Sequence, residues 1–133
     1  MRYVLDTNIC IYLIEKDYPI LRANLAAHRP SEIRLPALVL AELMVGAQES
    51  AFRDKVIRAT NAFVAQFEFI DFTPECAAGY AAIRNDLRSR SLKMNPNDLM
   101  IAATAFAYGH TLVTNNVKDF SRVEGLRIEN WTE

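Results

Sequence analysis

The sequence has little with which to build a soft-metal or disulfide site. It holds two cysteines and two histidines in 133 residues. Cys10 and Cys76 sit among apolar neighbours, with no Cys-x-x-Cys or Cys/His spacing. Zinc and a disulfide framework are therefore excluded as organising elements, and both cysteines read as small buried hydrophobes of a reducing compartment. His28 and His110 are isolated and receive no catalytic role. Long hydrophobic runs are also missing. None approaches the ~18 residues that a membrane span needs, and Asp6 interrupts the N-terminal segment before a secretory leader could form. There is no repeat, low-complexity tract or Gly/Ser linker, so the expectation is a single cytoplasmic domain over residues 1–133. Charge of one sign is absent too. The net charge is −1, from 15 basic and 16 acidic residues. That balance argues against a whole surface given to nucleic acid but allows a local basic strip. Eleven of the basic residues are arginine, which favours planar, bidentate contacts to phosphate or carboxylate.

What is present is an alternation. Short apolar stretches read as strands: Tyr3-Val4-Leu5, Ile33-Arg34-Leu35, Phe67 to Phe72 with period two, Thr111 to Thr114, and Leu126-Arg127-Ile128. Between them, helical periodicity covers 8–16, 19–28, 37–48, 51–66, 75–91 and 97–108. Pro19, Pro36, Pro74 and Pro96 stand near helix starts, where a missing N–H costs nothing. Gly109 suits a helix end that needs positive φ. This order predicts an α/β fold with a mostly parallel sheet and helices on both faces. Ligands in such sheets bind beyond the carboxyl ends of the strands. The residues just after the first and fourth strands, Asp6-Thr7-Asn8 and Thr114-Asn115-Asn116, are abruptly polar.

Three carboxylates draw attention. Glu42 is the only ionisable residue from Leu35 to Ala47, and its i±3 and i±4 neighbours are Val39, Leu38, Val45 and Gly46. A lone carboxylate on a helix so apolar costs several kcal/mol unless it is paired or protonated. An arginine partner or a small exposed window would also explain it. Asp6 ends a strand and opens a helix, where a capping role is equally natural. Asp98 follows Asn95-Pro96 at the third helical position, where an acid complements the helix dipole, and the apolar stretch behind it reads as a core helix. Taken together, these acids can meet at one end of the sheet. Converging carboxylates repel one another, and a divalent cation removes the conflict. Oxygen ligands without histidine or cysteine point to Mg²⁺ or Mn²⁺.

The blocks Tyr3-Val4-Leu5-Asp6-Thr7-Asn8, Ala41-Glu42-Leu43 with Gly46, Asn95-Pro96-Asn97-Asp98 with Ile101-Ala102-Ala103, and Leu112-Val113-Thr114-Asn115-Asn116 with Asp119-Phe120 resemble the PIN-domain ribonucleases. Within these the similarity is greatest to VapC toxins of VapBC toxin–antitoxin systems, the enteric type included, whose tail Gly125 to Trp131 resembles. The resemblance implies a three-layer α/β/α sandwich with a five-stranded parallel sheet of order 3-2-1-4-5. It implies a Mg²⁺- or Mn²⁺-dependent endoribonuclease acting on structured RNA, commonly a tRNA anticodon stem-loop. It also implies a homodimer, inhibition by a cognate VapB antitoxin, and higher-order assembly on operator DNA through that antitoxin. Asp6, Glu42 and Asp98 match the family's core acids, with Asp6 and Asp98 holding the metal and Glu42 orienting or deprotonating the attacking water. A fourth acid is often found where this chain has Asn116, and the nearest acid is Asp119. Thr7 and Thr114 match hydroxyl positions of the site, with Asn8 and Asn115 beside them.

Arg84, Arg88, Arg90 and Lys93 form the densest basic stretch, immediately before the Asp98 block. They suit RNA phosphates or an acidic antitoxin segment, although a solvated helix end would look the same. Ile9 to Ile14 is apolar beyond one core stripe, as a partner groove, a dimer contact or simple core would require. Phe63, Phe67, Phe69 and Phe72 are expected in the core, with Trp131 pinning the C-terminus. Two rival functions remain on the residues alone. An Asp-x-Asp phosphoryl-transfer enzyme would need an acid where Asn8 stands. A PIN-fold binding module with weakened catalysis is compatible with Asn116.

Overall fold

In the computed structural model, which describes residues 1–133, five parallel strands lie in the order β3-β2-β1-β4-β5. They are β1 Tyr3–Leu5, β2 Ile33–Pro36, β3 Glu68–Ile70, β4 Thr111–Val113 and β5 Ile128–Glu129. The flanking helices are α1 Thr7–Glu15, α2 Pro19–Ala26, α3 Ala37–Glu49, α4 Arg53–Val64, α5 Pro74–Ser89, α6 Pro96–Tyr108 and α7 Val117–Phe120. No helix is long and apolar enough to cross a membrane.

The central strands are apolar because parallel strands are covered on both faces. Every residue of β1 and β4 is buried, and Tyr3, Val4 and Leu5 pair in register with Thr111, Leu112 and Val113. A single cluster of 23 buried residues surrounds them, including Ile9, Leu35, Val39 and Ile101. Helix ends follow local chemistry. The Asn95 side chain accepts from the Asn97 and Asp98 amides at the start of α6, Pro96 follows it, and Gly109 closes the helix at φ 69°. At the other end of the sheet Trp131 is buried, stacked on His28 at 4.6 Å, and tied through its carbonyl to Asn24 at 2.8 Å. It does pin the C-terminus.

The structure corrects several expectations. Phe63 and Phe67 are buried, but Phe69 and Phe72 are 41% and 43% exposed. Phe69 lies on an edge strand, which has a partner strand along one side only, and Phe72 lies beyond the end of that strand. The last strand begins at Ile128 rather than Leu126, because Leu126 still belongs to a turn through its amide bond to the Val123 carbonyl. A short 3₁₀ turn at Pro30–Glu32 and the four-residue α7 were not expected, being too short to show a period. Finally, α3 is not buried all round. Met44 and Val45 are more than half exposed, so Glu42 borders a surface rather than the core.

Candidate active site

The order of the sheet places β1 beside β4, and the chain leaves both strands at the same edge. Asp6 follows β1 directly. Its carboxylate caps α1 by accepting the Ile9 amide at 2.9 Å, and the residue is only 4% exposed. The capping role and membership of a site are therefore not alternatives; the cap fixes the carboxylate in place. Glu42 enters from the middle of α3 and Asp98 from the first turn of α6. All three line one cleft of about 290 Å³, together with Thr7, Asn8 and Asn116. Ile11, Val45 and Phe120 form its apolar walls.

Glu42 is held on both oxygens. The Thr7 hydroxyl donates to Oε1 at 2.6 Å, and the Asn97 amide donates to Oε2 at 3.3 Å. No arginine or lysine pairs with Asp6, Glu42 or Asp98, so the ion-pair explanation of Glu42 fails. Electrostatics follow from this. Burial pushes the Asp6 carboxyl up to about 6; hydrogen bonds from Thr114 and the Ile9 amide oppose the shift, and the charges of Asp98 and Glu42 add to it. Asp98 is raised as well, by desolvation first and then by Glu42 and Asp119. A site built for structure would not leave like charges facing one another without a cation.

The remaining sequence candidates divide. Thr114 is buried and accepts the Asn116 amide at 2.9 Å. Asn116 lines the cleft, and its side-chain amide donates to Asp119 at 3.1 Å, leaving its carbonyl oxygen free. Asp119 thus stands behind Asn116 rather than in the cleft. Asn115 turns outward and donates to the Tyr12 hydroxyl at 3.1 Å. In the basic stretch, Arg84, Arg88 and Lys93 line a neighbouring cleft, but Arg90 does not. Its guanidinium is taken by Asp86 at 2.7 Å and by the Arg122 carbonyl. Asn97 was not singled out from sequence, although it precedes Asp98; the signal was adjacency alone.

The donor set suits a hard divalent cation: carboxylate and amide oxygens, with no histidine or cysteine. The acids do not close into a tight cage of three. Mg²⁺ keeps several waters and needs few protein ligands, so an open arrangement around a cleft fits it.

The description of the PIN domain as a family matches residues 3–126. The chain belongs to the PIN-domain family, among the VapC toxins. Ribonuclease VapC2 of Rickettsia felis is 39% identical to it over 98% of both chains. The tRNA(fMet)-specific endonuclease VapC of Salmonella typhimurium is 30% identical, again over 98% of both. The crystal structure of DNA-bound VapBC from Salmonella typhimurium superposes with a TM-score of 0.93 at 30% identity, over 98% of both chains. The order 3-2-1-4-5 and the flanking helices are those of this PIN fold. Within it, every acid assigned by the family resemblance reaches the same cleft.

Proposed function

We propose that this PIN domain is a Mg²⁺- or Mn²⁺-dependent endoribonuclease that hydrolyses structured RNA, a tRNA anticodon stem-loop being the favoured substrate. A cognate VapB antitoxin would restrain it. The reading rests on one observation above all: Asp6, Glu42 and Asp98 share a cleft and have no cationic partner. A protein that kept this fold only for binding would gain stability by neutralising them.

Asp6 and Asp98 would hold the cation, with the Asn116 carbonyl oxygen as a neutral addition. When bound, the ion supplies charge neutralisation at the phosphate and a more acidic water. Glu42, fixed by Thr7 and Asn97, orients the attacking water and takes its proton. Attack on phosphorus opposite the 3′ oxygen breaks that P–O bond, leaving a 5′-phosphate and a 3′-hydroxyl. The names of the relatives support a ribonuclease, and one names a tRNA. Solved VapBC complexes, two of them DNA-bound, support an antitoxin partner that brings the toxin to promoter DNA; a toxin homodimer is part of the same proposal. The test uses antitoxin-free protein with total RNA. Cleavage should need Mg²⁺ or Mn²⁺, stop with EDTA, and yield 5′-phosphate ends on mapping. Cleavage insensitive to EDTA, or retained in Asp98→Asn, would overturn the assignment.

A further inference from the structure

A cleft of about 590 Å³ lies beside the carboxylates rather than among them. The C-terminal half of α5, the turn after it and the start of α6 bound it. Arg84, Arg88 and Lys93 line it, with Tyr80 and Leu87 contributing an aromatic and an apolar surface, and no acid lines it. All three cations are exposed and none makes a salt bridge. Nor does any of their side chains appear in a hydrogen bond, whereas Asp86, the nearby acid of α5, is taken by Arg90 at 2.7 Å. Arg84 and Arg88 stand one turn apart, a like-charge spacing that weakens a helix by ~0.2–0.5 kcal/mol. The charge is therefore unpaired and mildly unfavourable in the free protein.

Its position gives it a use. Asp98 and Leu99 are consecutive on α6; the first lines the acidic cleft and the second lines the basic one. The two clefts thus flank the same first turn of α6. We propose that the basic cleft binds the phosphodiester backbone of RNA adjacent to the bond being cut, with Tyr80 beside a base or ribose. This rests on the ribonuclease reading of the acidic cleft and adds the substrate track which that cleft requires. Carboxylates repel the neighbouring phosphates of a polyanion even when a cation neutralises the scissile one. Free guanidinium and ammonium groups in the adjoining cleft offset that repulsion and release counterions on binding. Aromatic and apolar flooring is sequence-tolerant, as a backbone track needs to be. Charge complementarity favours a polyanion over a second copy of this chain, whose net charge is only −1.

Fluorescence anisotropy of a labelled single-stranded RNA oligonucleotide, titrated with the full antitoxin-free chain in EDTA, tests this without turnover. Each phosphate contact contributes about −0.7 to the slope of log affinity against log salt for a single strand. Arg84→Ala with Arg88→Ala should flatten the slope by about 1.4 and weaken binding by on the order of tenfold at 0.1 M salt. Arg88→Lys should keep most of the binding, and Arg90→Ala should change little. Thermal melts and circular dichroism confirm that the exposed substitutions leave the fold intact. An unchanged slope in the double variant overturns the proposal, including the case in which self-association or antitoxin binding falls instead. The two readings fail separately. Cleavage surviving in Asp6→Asn would remove the acidic site and leave the isotherm standing; an unchanged slope would remove the basic track and leave metal-dependent cleavage standing.

Discussion

Like charges gather at both ends of the sheet, and the two ends treat them differently. At the amino end Arg2, Arg34 and Arg127 surround His110; desolvation first, and then these arginines, lower its pKa. One of these charges, that of Arg34, is answered by an acid. Arg34 pairs with Glu68 at 3.4 Å and donates to the Ser31 carbonyl, and Arg127 donates to the Gly109 carbonyl. At the carboxyl end Asp6 and Glu42 have hydroxyl and amide donors, Asp98 has none, and no cation pairs with any of the three. One end offsets part of its repulsion with an acid of its own. The other retains it, and retained electrostatic conflict marks a place where a ligand completes the structure.

Breaking the carboxyl end should give the largest effect. Asp6→Asn keeps a side chain that caps helices as well as aspartate does but removes the charge. Cleavage should fall by on the order of a thousandfold, given what single electrostatic groups supply to charged transition states. The metal-free protein should meanwhile become more stable. Asp6 holds its proton up to about pH 6 when folded and releases it near 3.8 when unfolded. Between those values the native state binds the extra proton, so wild-type stability declines as pH rises through the window and stays lowered above it. That penalty is about 3 kcal/mol at neutral pH, from ~1.4 kcal/mol per unit. Chemical denaturation in EDTA at pH 7.5 and at pH 4 checks it: the variant should gain at the first pH and lose that advantage at the second. No gain at pH 7.5 would mean that the charge is already compensated.

The same linkage sharpens the contrast when a divalent cation is added. Mg²⁺ or Mn²⁺ at about a hundred times its dissociation constant should stabilise the wild type by ~2.7 kcal/mol. The gain should shrink below pH 6, where Asp6 takes up its proton and competes with the metal. Differential scanning fluorimetry across pH reads this directly. A pH-independent gain would place the ion elsewhere.

Smaller again is the expected effect of Asn97→Ala. It removes one of the two donors that hold Glu42 and leaves every carboxylate in place. A single lost orienting hydrogen bond, worth ~1.5 kcal/mol or somewhat more to a charged acceptor, should lower kcat by on the order of tenfold with KM nearly unchanged. Asn97→Gln should recover part of it if position is what matters. A fall in KM-dependent binding alone would instead make Asn97 a substrate contact.

What the sequence could reveal of this site follows from how each residue acts. Asp6 and Asp98 are legible because capping positions and strand ends can be read from neighbours in the chain. Glu42 stands out as an isolated charge in an apolar helix. Its surroundings are less legible, since exposure of Met44 and Val45 depends on which helices pack against α3. Phe67 and Phe69 share one face of a period-two segment as core residues would, yet that pattern does not distinguish an edge strand from a central one, and Phe72 lies past the strand's end. Asn97 acts on a residue 55 positions away, which no local pattern encodes. Arg90 is the opposite case, because its partner Asp86 lies four residues back, and that i,i+4 spacing was available to reading.

The amino end gives the control with the smallest effect. Glu68→Gln removes the carboxylate opposite Arg34, which is itself the better shielded partner: its side chain is 11% exposed against 78% for Glu68. An ion pair with one end in solvent contributes ~0–1 kcal/mol, and Arg34 keeps its bond to the Ser31 carbonyl. The expected loss is therefore under about 1 kcal/mol by denaturant melts, diminishing further at high salt as screening replaces the pair. RNA cleavage should be unaffected, since Arg34 does not line the acidic cleft. If this substitution instead cost as much stability as Asp6→Asn gains, the amino-end arginines would be as poorly compensated as the carboxylates. The asymmetry between the two ends could then no longer serve to locate the active site.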